Sequence, residues 1–192
     1  MNTKQPAAKP LPSPAVIMKP ALLLTAICTV ATLLLALTNL LTQARIAENA
    51  AAKAAQSRML VLAADHYAPL DDRKTVYGAF DGEGNSLGVV ITTQAKGYGG
   101  TIEVMTGIRS DGSVAGVTVL SMSETPGLGA RTKEDAFLSQ FIGLNDPNLA
   151  VTKDGGTIDA VSGATISSRA VTDAVSSAVS LSAAYLDASR AA

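Results

Sequence analysis

Residues 159–168, Asp-Ala-Val-Ser-Gly-Ala-Thr-Ile-Ser-Ser, concentrate side chains whose types and spacing could do chemistry. Four hydroxyls, those of Ser162, Thr165, Ser167 and Ser168, surround Gly163, whose missing Cβ lets the backbone turn and approach a ligand closely. The pattern after Thr165 turns helical, so unsatisfied N–H groups and a partial positive charge face back onto this loop. Such an arrangement can hold a phosphate without any lysine. A Ser/Thr/Gly cluster ahead of a helix is more commonly a plain helix cap, and one loop can serve both purposes.

A second loop, residues 124–129, reads Glu-Thr-Pro-Gly-Leu-Gly. Pro126 followed by Gly127 fits a type II turn, and Gly129 permits a further tight bend. A loop of this kind exposes main-chain N–H and C=O groups that could read the polar edge of a ring. The alternative is an ordinary connection between a strand and a helix. Glu124 likewise has two readings, a carboxylate that bonds a ligand or orients the loop, and a solvated turn residue.

The elements that must position these loops follow from periodicity. Strand-like segments at 75–80 and 87–93 flank the turn-rich stretch 81–85. Over 101–109, Ile102, Val104 and Ile108 fall on one face, the period-2 pattern of a half-buried strand. Asp111-Gly112 reads as a tight hairpin turn with positive φ at both central positions, returning into a strand over 114–120. Phe137, Leu138, Phe141 and Ile142 mark one face of a short helix, with Thr132 and Asp135 spaced as a capping pair. Past Thr165 a long helix carries an inner stripe of Val171, Val175, Ala178, Ser182 and Leu186. Strands first and helices late predict an α+β domain with an antiparallel sheet and packed helices.

Upstream, the chain is of another kind. Residues 21–41 carry no charge, and a helix of that length covers roughly 30 Å, the bilayer hydrocarbon thickness. Thr25, Thr29, Thr32 and Thr38 are tolerated there because a threonine hydroxyl can bond back to a helix carbonyl. Lys4, Lys9 and Lys19 precede the span without a single acid, while Arg45, Glu48, Lys53 and Arg58 mix signs after it. The positive-inside bias therefore predicts a cytoplasmic N-terminus and a globular part on the other side of the membrane, with a cleaved signal peptide as the rival reading of the same run. Residues 1–20 read as a disordered cytoplasmic arm, 21–41 as a transmembrane helix, and the alanine-rich 42–68 as a helical stalk that Pro69 ends. The domain proper is expected over 69–192.

Composition excludes several functions. The formal net charge of −1 offers no footprint for nucleic acid. The one cysteine, Cys28, lies in the apolar run, so the globular part has no disulfide framework and no cysteine-ligated zinc or iron–sulfur cluster. The one histidine, His66, reads as a surface residue and leaves no histidine-rich metal or haem site.

Residues 97–131 and 152–168 together resemble the FMN-binding domain family, in particular the G-subunit branch of Rnf-type ion-translocating electron-transport complexes. The C subunit of the sodium-pumping NADH:quinone reductase is a longer relative. The family signature is Asp-x-x-Ser/Thr-Gly-Ala-Thr, here Asp159, Ser162, Gly163, Ala164 and Thr165. The resemblance implies that Thr165 receives FMN as a phosphoester, attached by a dedicated flavin transferase that uses FAD. It implies that Ser162, Gly163, Ala164, Ser167 and Ser168 surround the attachment point. It also implies that Glu124, Thr125, Gly127, Leu128 and Gly129 lie against the flavin, with Tyr98 near the ring. Asp159 then serves recognition by the transferase or local turn geometry.

The implied function is that of an electron-transfer subunit in a membrane-bound ferredoxin:NAD oxidoreductase complex. Such a subunit is a redox relay and not catalytic alone, since no nicotinamide site, cluster ligand or channel is visible. Its partners are the other membrane subunits, the flavin transferase and membrane lipid. Its expected location is the inner (cytoplasmic) membrane of a bacterium, single-pass, with the FMN domain outside the cytoplasm. The alternative is an anchored flavin-binding carrier or sensor without a relay role.

Overall fold

The computed structural model describes residues 14–190, which divide into two compact units, residues 1–50 and 51–192. Helix α1 runs from Pro14 to Val61, and its residues up to 50 make the described part of the first unit. Its leucines stand bare, with Leu22, Leu24, Leu35 and Leu41 among the exposed large side chains. Thr25, Thr29, Thr32 and Thr38 each donate to the carbonyl four residues earlier at 2.8–2.9 Å, so their hydroxyls are satisfied within the helix. The segment is long and apolar enough to cross a membrane, and an exposed apolar surface of this size suits lipid better than water. The arm expected over 1–20 lies outside the described residues as far as 13. Residues 14–20 are already helical, and Pro20 lies inside the helix, where its missing N–H forfeits one intrahelical bond.

The second unit is a five-stranded antiparallel meander, β1 (His66–Pro69), β2 (Val76–Phe80), β3 (Ser86–Lys96), β4 (Thr101–Arg109) and β5 (Val114–Ser121), in that spatial order. The long helix α3 (Thr165–Arg190) lies on one face. Its stripe of Val171, Val175, Ala178, Ser182 and Leu186 is buried as its spacing predicts. Opposite it, Val89 and Ile91 of β3 and Ile102, Val104 and Ile108 of β4 fill the main core.

The other face is covered as well, where a half-buried sheet was expected. Val61 and Leu62 pack with Ala79, Val90 and Met105, so the end of α1 belongs to the domain core. The approach is backbone to backbone. A Cβ on Gly107 would lie 2.4 Å from the Val61 carbonyl oxygen, and one on Gly116 2.8 Å from it. Arg58 lies 4.1 Å from the Tyr77 ring centroid, and Lys53 Nζ donates to the Leu120 carbonyl at 2.7 Å. The helix stops at Val61, short of the expected 68. Residues 66–69 instead pair with β2, a tertiary pairing that overrides weak local helix preference.

Two further expectations are corrected. At the β4–β5 hairpin only Gly112 has positive φ, +85°. Gly112 N–H donates to Arg109 O and Arg109 N–H to Ser113 O, which makes a three-residue loop of a type I turn followed by a left-handed glycine. Asp111 Oδ1 accepts the Ser113 N–H at 2.8 Å and fixes that geometry. The helical stretch after residue 128 is three short pieces, a 3-10 turn Gly129–Lys133, helix α2 (Asp135–Leu138) and a 3-10 turn Ser139–Phe141. Thr132 spends its hydroxyl on the Gly129 carbonyl, so no Thr132–Asp135 cap forms. Phe137, Leu138 and Phe141 are buried, while Ile142 is exposed.

Candidate functional site

Three segments meet at the N-terminal end of α3. The β3–β4 turn (97–100) is tight, with Gly97 N–H donating to Gly100 O at 2.8 Å. Gly99 has to be glycine because a Cβ there would lie 2.1 Å from the Ser123 carbonyl oxygen. The loop 124–129 turns as its sequence predicts. Leu128 N–H donates to Thr125 O, and Gly127 takes φ +76°, the type II geometry that follows Pro126. Gly129 answers to crowding, since its Cβ would lie 2.5 Å from Glu124 Oε2 and 2.6 Å from Ser167 Oγ.

Glu124 ties the three together. It is buried, with Oε1 accepting the Gly99 N–H at 3.1 Å and Oε2 accepting the Ser167 hydroxyl at 2.7 Å. Of its two readings, the solvated turn is therefore wrong. A carboxylate that bonds one group from the hairpin turn and one from the first turn of α3 holds the loop between them, and charge-assisted bonds of this kind are the stronger ones.

The helix start is built separately. Gly163 takes φ +78°, Ala164 N–H donates to Val161 O, and Ser168 N–H closes the first helical bond onto Ala164 O. Ser168 is fully buried, accepting the Val161 N–H and donating to the Ala164 carbonyl, both at 3.0 Å. Ser168 thus acts as local scaffolding, tying the loop ahead of α3 to the first turn of the helix. The first amides of α3 have no intrahelical acceptor, and Thr165, its first residue, stands among them half-buried.

Between these segments lies a cleft of about 600 Å³, within the range of small-molecule sites. Its wall contains Tyr98, Glu124, Thr125, Leu128, Gly129, Gly163, Ala164, Thr165 and Ser167, residues that the family resemblance implied to lie together across a separation of almost seventy residues. Gly127 shapes the loop without lining the cleft, and Ser168 lies beneath it. Ser162 turns away to a shallow groove that it shares with Arg131, Gln140 and Asp159. There Gln140 clamps the Asp159 backbone, accepting its N–H at 2.7 Å and donating to its carbonyl at 3.2 Å.

Two lining residues escaped the sequence reading. Ile166 presents its side chain to the cleft mouth. Lys153, on the 3-10 turn Thr152–Asp154, donates from Nζ to Thr165 Oγ1 at 3.1 Å, so the site does include a lysine. The turn is pinned to α3 by Asp154, which takes both Arg169 Nε and Nη2 at 2.5 and 2.6 Å. These bonds from Arg169 hold the Asp154 carboxyl below the usual carboxylate range. Asp173, one turn further along α3, is pushed up by partial burial and by the Asp154 charge. Nothing at a distance of twelve residues in sequence marks Lys153 as a neighbour of Thr165.

A model described as the FMN-binding domain matches residues 97–180, and one described as the RnfG N-terminal region matches residues 13–60. The chain is 42% identical over 165 residues to the G subunit of the ion-translocating oxidoreductase complex of Methanosarcina acetivorans, covering 80% of this chain and 87% of that protein. It is 35% identical over 188 residues to the G subunit of the Na(+)-translocating ferredoxin:NAD(+) oxidoreductase complex of Acetobacterium woodii, covering 85% and 90%. Among solved structures it is similar to NqrC of Shewanella oneidensis, with 24% identity, coverage of 70% and 74%, and a TM-score of 0.49.

Proposed function

This chain belongs to the G-subunit family of ion-translocating oxidoreductase complexes and carries an FMN-binding domain, and from that premise we propose that it is a membrane-anchored electron-transfer subunit holding FMN as a phosphoester on Thr165. The observation that carries the proposal is the position of one hydroxyl. Thr165 Oγ1 stands at the first residue of α3, on the wall of the cleft, with the Lys153 ammonium 3.1 Å away.

The donors present fit the group. A phosphate joined to Thr165 meets helix-terminal amides and one ammonium, which stabilise its charge without burying an ion pair. Leu128 and Tyr98 offer apolar surface on the same wall, and Glu124 ties the loop of the first to the turn of the second. FMN supplies one- and two-electron exchange, the chemistry required of a relay between carriers, while the protein sets its place and surroundings. Thr165 acts as a tether, modified once by a flavin transferase and idle in turnover. Glu124, Ser167 and the crowded glycines at 99 and 129 keep the wall in place.

In this reading residues 21–41 cross the inner membrane with the N-terminus in the cytoplasm and the FMN domain on the far side. Electrons reach and leave the domain through other subunits of a ferredoxin:NAD oxidoreductase complex. Expression of the full chain with a flavin transferase tests the attachment. A fluorescent band should survive denaturing electrophoresis, and mass spectrometry should find FMN on the Thr165 peptide. Thr165→Val should lose both. A Thr165→Val chain that keeps covalent flavin refutes the assignment.

A further inference from the structure

We propose that Lys153 is the positioning residue for flavin attachment, holding the Thr165 hydroxyl in the cleft and countering the charge of the phosphate that it receives. The inference rests on the FMN reading above and goes beyond it, because neither the signature at 159–165 nor the match to the domain model singles out this lysine.

The local construction is specific. Among the residues lining the cleft, Lys153 is the one cation. Arg169 lies one helical turn after Thr165, on the same side of α3, but both its donors shown are spent on Asp154. The Arg169 guanidinium thus serves as a strut, and the Lys153 ammonium stands at the hydroxyl. The backbone that presents Lys153 is fixed from several directions. Thr152 N–H donates to Ile158 O and Asp154 N–H to Val151 O, both at 2.8 Å. Gly155 ends the turn in the left-handed conformation, with φ +85°. Gly156 packs so tightly that a Cβ would lie 1.9 Å from the Ala150 carbonyl oxygen. The anchored turn settles the backbone entropy in advance, so only the side chain of Lys153 has to be ordered at the hydroxyl.

The chemistry limits what the ammonium can do. In the transfer, Thr165 Oγ1 forms a bond to the flavin-side phosphorus of FAD, the pyrophosphate P–O bond breaks, and adenosine monophosphate leaves. The hydroxyl proton passes to a base of the transferase, and nothing is oxidised or reduced. An ammonium that already donates to Oγ1 has no lone pair for that proton, so Lys153 is not the base. It orients the oxygen and offers its remaining N–H groups to the phosphate oxygens, which carry negative charge throughout the reaction.

The test measures the initial rate of flavin attachment to the full-length chain in detergent, with purified flavin transferase and FAD, by in-gel fluorescence and intact mass. Lys153→Gln should slow attachment about tenfold at low salt, the size expected for one charge-assisted hydrogen bond. Lys153→Arg should restore most of the rate. The gap between wild type and Lys153→Gln should narrow at high salt, as screening weakens the charge. Thermal melts of the three proteins should coincide, since the side chain is exposed. Equal rates for wild type and Lys153→Gln at every salt concentration overturn the inference, as does Lys153→Arg behaving like Lys153→Gln. A wild-type chain that accepts no flavin is a separate result, which brings down the FMN reading and this inference with it.

Discussion

The two faces of the sheet are covered by helices in opposite ways. On the α3 face, large side chains interlock, with Phe141, Ile91, Ile102, Ile108 and Val171 all nearly or fully inaccessible. On the other face, residues 51–61 of α1 lie close against glycine. Gly107 and Gly116 present no side chain, and the Val61 carbonyl sits where their Cβ atoms would be. One face is held by the volume of its side chains, the other by close backbone approach at glycine beside a smaller cluster of Val61, Leu62, Val90 and Met105. The cleft belongs to the first, because Thr165, Ser167 and Ser168 are the opening residues of the helix whose stripe fills that core. Damage to the two faces should therefore have separable consequences.

The largest effect is expected on the α3 face. Phe141 is fully buried and packs edge-on against Phe137 at a centroid distance of 5.6 Å. Phe141→Ala should cost about 3–5 kcal/mol through lost contacts and the cavity left behind. Because α3 leans on the same core, flavin attachment should fall with stability. A lowered melting temperature with an unchanged attachment rate would show the cleft to be independent of its own core.

A smaller, cleaner effect is expected opposite. Gly107→Val places a branched side chain where the α1 backbone lies and should cost about 1–3 kcal/mol by overpacking. The cleft is built from segments on the other side, so attachment at a temperature well below melting should match wild type. If attachment instead fails while the fold persists, α1 docking controls the cleft, and the contrast between faces dissolves.

The same contrast sets what the sequence could disclose. The α3 face was legible because volume leaves a pattern. Ile102, Val104 and Ile108 alternate, and Val171, Val175, Ala178 and Leu186 recur at helical spacing, so both elements are visible in one dimension. The α1 face was not legible, because glycine and alanine at 107, 115 and 116 register as missing hydrophobicity and say nothing of the helix that needs the room. Residues 51–61 consequently read as part of a helical stalk over 42–68. The site divides along a similar line. Turn chemistry at Pro126-Gly127 and the cap-like run ending at Thr165 are local and could be read. The Glu124 bonds to Gly99 and Ser167, and the Lys153 bond to Thr165, join segments that only the fold brings together.

The subtlest expected effect is one of pH, and it separates the strut beneath Lys153 from the core above it. Asp154 titrates below an ordinary aspartate because Arg169 bonds its ionised form, so its contribution to stability is complete above about pH 3.9. That contribution is lost as pH falls through the lowered folded value. Asp173 has the opposite sign. Partial burial, with the Asp154 charge adding to it, raises its carboxyl, so its ionised form weighs against the fold at neutral pH. That penalty lifts as pH falls through the raised value toward the ordinary one. Acidification from neutrality should first relieve Asp173 and only later release Asp154. In melting temperatures measured by circular dichroism across that range, Asp173→Asn should raise stability near neutral pH and flatten the first step. Asp154→Asn should remove the second step and shrink the first, since it deletes one of the causes acting on Asp173. It should also slow flavin attachment modestly at neutral pH, because Lys153 then sits on a turn no longer tied to α3. Identical pH profiles for Asp154→Asn and wild type would mean that the Asp154–Arg169 pair holds nothing, and that the turn under Lys153 stands by its backbone alone.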